Sequence, residues 1–200
     1  MRKWLFFRVL LVLALFCVTV GGYWLYTIGF WSTPLPKRDF ALYDLLLTEE
    51  DLGTGWRLTE DNGWQMENST ILEQWNREFV YVNQQGQSLF KIEHFVYRCD
   101  NESHASFYVK QFRDYAKINK EVAPDELLFF FQPRYADEWF LGKYSYYARY
   151  KEFVIVFAIE IIEKNNADLL YRKISYTQLA DWLHTLDERV GYLLKESKRK

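Results

Sequence analysis

The run from Val9 to Trp31 contains no charged side chain, and it constrains the fold of this 200-residue chain more than any other feature. As a helix, Val9 to Ile28 would extend about 30 Å, which is enough to cross the hydrocarbon core of a bilayer. Aromatic side chains, which favour the headgroup zone, flank the run at both ends. These membrane-interface residues are Trp4, Tyr23, Trp24, Tyr26, Phe30 and Trp31. The sequence therefore predicts a cytoplasmic tip and a transmembrane helix within residues 1–31.

A cleaved secretory signal peptide is the alternative, because it would share the basic start and the apolar run. Val20-Gly21-Gly22 would supply a small-residue cleavage site, but nine more residues, mostly apolar, follow it. Cys17 would have to carry a lipoprotein anchor, and the residue before it is the bulky Phe16. We therefore expect the segment to remain in the mature protein as a signal-anchor.

Basic residues near the ends of the predicted span indicate its orientation, because cytoplasmic flanks carry the excess of lysine and arginine. Three basic side chains and the amino terminus precede the span, and two basic side chains follow it. They are Arg2, Lys3 and Arg8 before the span, and Lys37 and Arg38 after it. This bias predicts a single-pass protein of the cell membrane, with a cytoplasmic N-terminus and an extracytoplasmic C-terminal domain.

Residues 40–200 predict one domain, joined to the span by a linker over residues 32–39 in which two prolines stop the helix. Of the 25 basic and 27 acidic side chains, five basic and one acidic lie in residues 1–39. This leaves 20 basic and 26 acidic residues in the domain, a net charge of −6. A nucleic-acid binder needs a basic face to neutralise phosphates, so this balance argues against that class.

The pattern of the domain predicts an α+β fold with an antiparallel β-sheet of about six strands, covered by helices on both faces. The strand-like or apolar segments are Trp56–Glu60, Arg77–Val82, Leu89–Tyr97, Leu127–Phe131, Tyr144–Tyr150 and Phe153–Ile162. Phe153–Ile162 is apolar on both sides except at Glu160, so it needs cover on both faces and is predicted to be central. Helices at about 101–118 and 177–195 supply that cover.

The phrase Asp51-Leu52-Gly53-Thr54-Gly55-Trp56, followed by strands, resembles the start of the sheet in bacterial extracytoplasmic domains of the PsbP-type α/β sandwich. Gly53 stands where that group usually has proline, and Ala136-Asp137-Glu138 is also similar to the group. The resemblance covers about residues 40–195. It implies a non-catalytic domain attached to a membrane or a membrane complex.

The sequence predicts no catalytic residue, no cofactor and no metal site. The three histidines, His94, His104 and His184, lie on different predicted elements and lack metal-binding spacing. His94 lies among apolar neighbours and predicts a core histidine. The two cysteines, Cys17 and Cys99, lie in the span and in the domain, so a disulfide framework is excluded.

Acidic pairs and a glycine pair predict capping and turns rather than chemistry. The acidic groups are Glu49-Glu50-Asp51, Glu60-Asp61 and Asp137-Glu138, and Gly53-Thr54-Gly55 lacks the third glycine of a dinucleotide loop. A carboxylate-based hydrolase would need two of these acids across one cleft, which sequence spacing alone does not indicate.

Aromatic residues make up 20% of the chain, and this excess is the main signal for binding. Core filling accounts for most of them, but Trp64, Trp139 and Tyr147 are candidate contacts for a partner or ligand. The leading hypothesis is a non-catalytic accessory protein whose outer domain binds a partner subunit of a membrane complex. The alternatives are a ligand-binding or sensor domain with an aromatic pocket and, third, a hydrolase.

Overall fold

A computed structural model describes residues 38–66, 69–119, 123, 125–162 and 174–197 of the chain. The predicted transmembrane helix and all six predicted membrane-interface residues lie outside these ranges. Within them, no helix combines the length and the apolar character needed to cross a bilayer.

The described chain begins with short helical turns, and three long strands follow. The first elements are a 3₁₀ turn Leu42–Leu45, helix α1 Glu49–Leu52, and strands β1 Trp56–Gln65, β2 Ile71–Val82 and β3 Ser88–Cys99. The remaining elements are α2 Glu102–Ile118, α3 Asp125–Phe130, β4 Glu138–Leu141, β5 Ser145–Tyr150, β6 Phe153–Ile161 and α4 Tyr176–Glu196.

The six strands form one antiparallel sheet in the order β1-β2-β3-β6-β5-β4. Strand β6 lies between β3 and β5, as its apolar residues on both faces predict. Strands β1 and β4 are the two edges, and β1 is much the longer of them. The predicted α+β class, with six antiparallel strands and helices, is confirmed for the described residues.

Helices cover both faces of the sheet, and alternate residues of β6 enter two separate cores. On one face, Ile155 and Phe157 pack in the larger core with Leu183 of α4. On the other face, Val154 and Val156 pack with α2, which contributes Ala105, Val109 and partly buried aromatic residues. Burying one such aliphatic or aromatic side chain contributes roughly 1.5–3 kcal/mol, which explains why β6 needs both layers.

The side chains at the N-terminal ends of the two long helices satisfy backbone N–H groups that have no partner within the helix. The Asn101 side chain accepts a hydrogen bond from the His104 N–H at 2.8 Å. The Ser175 hydroxyl accepts one from the Gln178 N–H at 3.1 Å, as the capping pattern Ser175-Tyr176-Thr177-Gln178 predicts for the start of α4. The sequence therefore identified both helix starts to within one residue.

The apolar segment 127–131 is the main departure from the predicted order of elements. It lies mostly in helix α3, and the fourth strand is instead Glu138–Leu141. Leu127 is buried whereas Phe129 is 83% exposed, so the segment has one buried side rather than two. A short apolar run fits either period, and for this reason periodicity alone does not distinguish a helix from a strand.

Candidate binding cleft

A cleft of about 730 Å³ opens at one end of the sheet, between residues 38–43 and the paired ends of β1 and β2. This volume lies within the range of small-molecule sites, roughly 300–1,000 Å³. Four aromatic residues line the cleft, namely Phe40, Tyr43, Trp64 and Trp75. The polar lining residues are Arg38, Gln65, Glu73, Gln74 and Arg98. The cleft therefore combines aromatic rings with hydrogen-bonding groups of both kinds.

Trp75 is held in place by its neighbours before any ligand arrives. Its indole N–H donates to the Asp61 carboxylate, and the Tyr43 ring meets it edge-on at 5.2 Å between centroids. Gly63 lies opposite it on β1, where an added Cβ would come within 2.1 Å of the indole. Residue 63 must therefore be glycine for the Trp75 ring to lie across the strand.

The two arginines of the cleft are each paired with a carboxylate. Arg38 donates from Nε and Nη2 to the two oxygens of Glu152, both at 2.8 Å, and both side chains are almost fully buried. Arg98 lies 3.8 Å from Glu73. Since each cation in the lining has an anion beside it, the cleft carries little net charge.

The Arg38–Glu152 pair also anchors one wall of the cleft to the turn between β5 and β6. Arg38 lies over the Phe153 ring at 5.8 Å, and the Phe40 ring lies 5.8 Å from the same ring. The sequence predicts Arg38 as part of the linker, but its side chain packs against Glu152 and Phe153 of the domain. The wall formed by residues 38–43 depends on a contact 114 residues distant in sequence.

The three predicted contact residues lie in three separate places. Trp64 borders the cleft on strand β1 and is 48% exposed, but the pairing of β1 with β2 puts its side chain on the face of the sheet opposite to Trp75. Trp139 lies on the opposite edge strand, 38% exposed and near Phe131. Tyr147 stacks on Phe112 at 5.1 Å, on the face covered by α2. Only Trp64 therefore borders the cleft.

His94 is fully buried, as predicted for a core histidine. Its Nδ1 accepts a hydrogen bond from the Leu47 N–H at 3.2 Å, and its Nε2 has no partner among the described residues. Burial, together with the smaller effect of the nearby charges of Arg77 and Arg189, lowers the pKa of His94 to about 3. The ring is therefore neutral at physiological pH and far from suited to act as a base there.

The acidic groups identified in the sequence have structural roles in the described domain. Asp51 accepts from the Thr48 N–H at 2.6 Å and pairs with Arg189. Asp61 holds Trp75 as described above, and Asp137 accepts from the Lys151 N–H at 2.7 Å. Lys151 has a φ of 58°, an unusual conformation for a side-chain-bearing residue, so this bond stabilises a tight turn.

Asp187 is a buried polar residue that no sequence pattern identified in advance. It is 1% exposed, and its carboxylate accepts from the backbone N–H groups of residues 134–136 and from the Tyr150 hydroxyl at 2.8 Å. Tyr146 in turn lies 3.0 Å from Tyr150, oxygen to oxygen. Burial raises the pKa of both tyrosines, so their hydroxyls remain protonated donors.

Among the described residues, no group of three or more histidine, cysteine, aspartate or glutamate side chains is placed to hold a metal ion. Comparison of the chain with models of protein families, with curated proteins and with solved structures found no match. The resemblance to PsbP-type domains therefore stays a prediction, based on the short phrases quoted above.

Proposed function

We propose that the chain is a non-catalytic binding protein, anchored in the cell membrane by one N-terminal helix, and that the cleft is where its extracytoplasmic domain binds. The observation that carries this proposal is the exposed aromatic lining of the cleft. Tyr43 is 42% exposed and its ring meets Trp75 edge-on, whereas most large apolar side chains among the described residues lie in the two cores. Exposed aromatic rings in a concave surface are typical of binding sites.

The polar groups nearby support binding rather than catalysis. A general base needs a pKa near the working pH and access to substrate, and buried His94 has neither. The acidic pairs that would suit a hydrolase are engaged in caps, turns and ion pairs. The cleft thus offers shape, aromatic surface and fixed hydrogen-bonding groups.

Site-specific photo-crosslinking in native membranes tests the use of the cleft. A photoreactive amino acid is placed at Gln65, which is exposed and lines the cleft, or at Glu188, an exposed control position on α4. We expect an adduct from residue 65 and none from residue 188. Equal labelling at both positions, or none at either, would contradict the proposal.

A partner subunit that binds elsewhere on the domain is the second candidate. Phe107, Tyr115 and Ile118 are 54%, 65% and 80% exposed, and their spacing places them on one side of α2. The helical spacing of apolar residues in α2 predicts that Tyr115 is buried against the sheet, but Tyr115 lies on the outer side of the helix. A photoreactive group at Gln111, exposed on the same helix, would give the dominant adduct if this surface binds the partner.

The anchor and its orientation need a separate test. Intact-mass measurement of the native protein should give the full chain without loss of an N-terminal peptide. Protease added to intact spheroplasts should degrade the domain, because we place it outside the cytoplasm. A mature chain that begins near Tyr23, or a domain protected until the cells are lysed, would reject the membrane-anchored arrangement.

A further inference from the structure

We infer that the cleft recognises a neutral oligosaccharide, an inference that rests on the proposed function of the cleft as a binding site. A sugar ring presents an apolar face of C–H groups and a rim of hydroxyls that both donate and accept hydrogen bonds. The cleft presents the complementary chemistry, with the aromatic rings of Tyr43 and Trp75 beside the amide of Gln65. An amide supplies two N–H donors and a carbonyl acceptor, which matches a hydroxyl in either role.

The charge of the cleft selects a neutral ligand. Recognition of phosphate or carboxylate typically uses arginines that offer two parallel N–H donors to the anion. In this cleft, Nε and Nη2 of Arg38 are bound to Glu152, and its Nη1 donates to the Ser197 hydroxyl at 3.3 Å. Arg98 has Glu73 beside it. An anion would have to displace a carboxylate, whereas a hydroxyl can bond to such a pair without removing a charge from its partner.

The rigidity of the central ring favours a ligand that is itself rigid. Trp75 is fixed by Asp61, Tyr43 and Gly63, so binding costs little ordering of that side chain. Preorganised aromatic surfaces gain affinity because less conformational freedom is lost on association. The more exposed Tyr43 ring, which meets Trp75 edge-on, then adds a second aromatic surface.

The test uses the full chain, purified in a polyoxyethylene detergent, because alkyl-glycoside detergents carry sugar head groups that would compete for the cleft. The fluorescently labelled protein is applied to an array of neutral oligosaccharides built from hexoses and N-acetylhexosamines. The glycan retained most strongly is then titrated by calorimetry, together with its sulfated counterpart. We expect saturable binding of the neutral glycan and weaker binding of the sulfated one.

Two variants, one in the cleft and one outside it, show whether the bound sugar lies in the cleft. Tyr43→Ala should weaken binding about fivefold, the size expected for one aromatic contact, and Tyr43→Phe should recover part of it. Trp139→Ala is the matched control, since Trp139 is also partly exposed but lies on the edge strand β4, across the sheet from the cleft. Unchanged melting temperatures would show that each variant is folded.

Three results would overturn the inference: no glycan is retained, the two alanine variants bind equally, or the sulfated glycan binds more tightly. The photo-crosslinking experiment separates this failure from failure of the proposed function. A protein adduct from residue 65 together with an empty array would leave the cleft as a binding site for a polypeptide. Absence of both would reject the sugar and the cleft together.

Discussion

Two polar regions lie on the same face of the sheet, and they differ in what satisfies them. Around Asp187, the carboxylate is buried and its hydrogen-bond donors all come from this chain. In the cleft, the charges are paired, but Tyr43 keeps over two fifths of its surface exposed. The Asp187 carboxylate has all its hydrogen-bond donors within the domain, whereas the cleft has exposed aromatic surface that does not pack in either core. This difference indicates which of them is available for binding.

Replacing Asp187 should have the largest effect on stability. Asp187→Ala removes the acceptor for three partly buried backbone N–H groups and for the buried Tyr150 hydroxyl. We expect a loss of about 4 kcal/mol in the free energy of unfolding, since each unsatisfied buried group costs roughly 1–3 kcal/mol. Urea denaturation followed by circular dichroism measures it. A loss below 1 kcal/mol would mean that the two regions do not differ as described.

The ion pair beneath the cleft wall should come second. Glu152→Ala leaves the Arg38 guanidinium buried without its carboxylate, and we expect a loss of about 3 kcal/mol. The double variant Arg38→Met with Glu152→Leu should be more stable than the single one, because no unpaired charge remains. If both variants lose the same stability, the pair does not hold the wall electrostatically.

Lowering the pH should destabilise the domain through His94. Its pKa is lowered to about 3 in the folded state, against 6.5 for an ordinary histidine, so the unfolded chain binds the proton more readily. The stabilisation is complete above pH 6.5 and is lost as the pH falls toward 3. Between pH 8 and pH 5 we expect a loss of about 2 kcal/mol by urea denaturation. His94→Asn keeps an acceptor but does not titrate, so its stability should vary much less over this range.

Tyr43→Ala should have the smallest effect on stability, about 1 kcal/mol, because the residue is 42% exposed. The same variant is expected to weaken binding in the cleft, so the two measurements move independently. A stability loss as large as that of Glu152→Ala would place Tyr43 among the structural residues. In that case the contrast between the cleft and the Asp187 region would disappear.

Local patterns predicted the sheet and part of the cleft, and distant contacts account for the rest. Phe153–Ile162 was identified as central because apolar residues on both sides demand two layers, and β6 has them. Trp64 was predicted as a candidate contact, and it is an exposed residue of β1 that borders the cleft. The cleft itself was not predictable, because its wall depends on Arg38 meeting Glu152, and Asp187 carries no local signal among the polar residues of α4.

The clamp between Arg38 and Glu152 has a mechanical consequence. Arg38 lies at the end of the predicted linker, and its two parallel bonds to Glu152 fasten it to the turn that joins β5 and β6. A pulling force applied at the N-terminal end of the domain would act on the Arg38–Glu152 ion pair before it could separate any strand from the sheet. The wall of the cleft would yield first, so a pull along the chain would alter the ligand site while the sheet stayed intact.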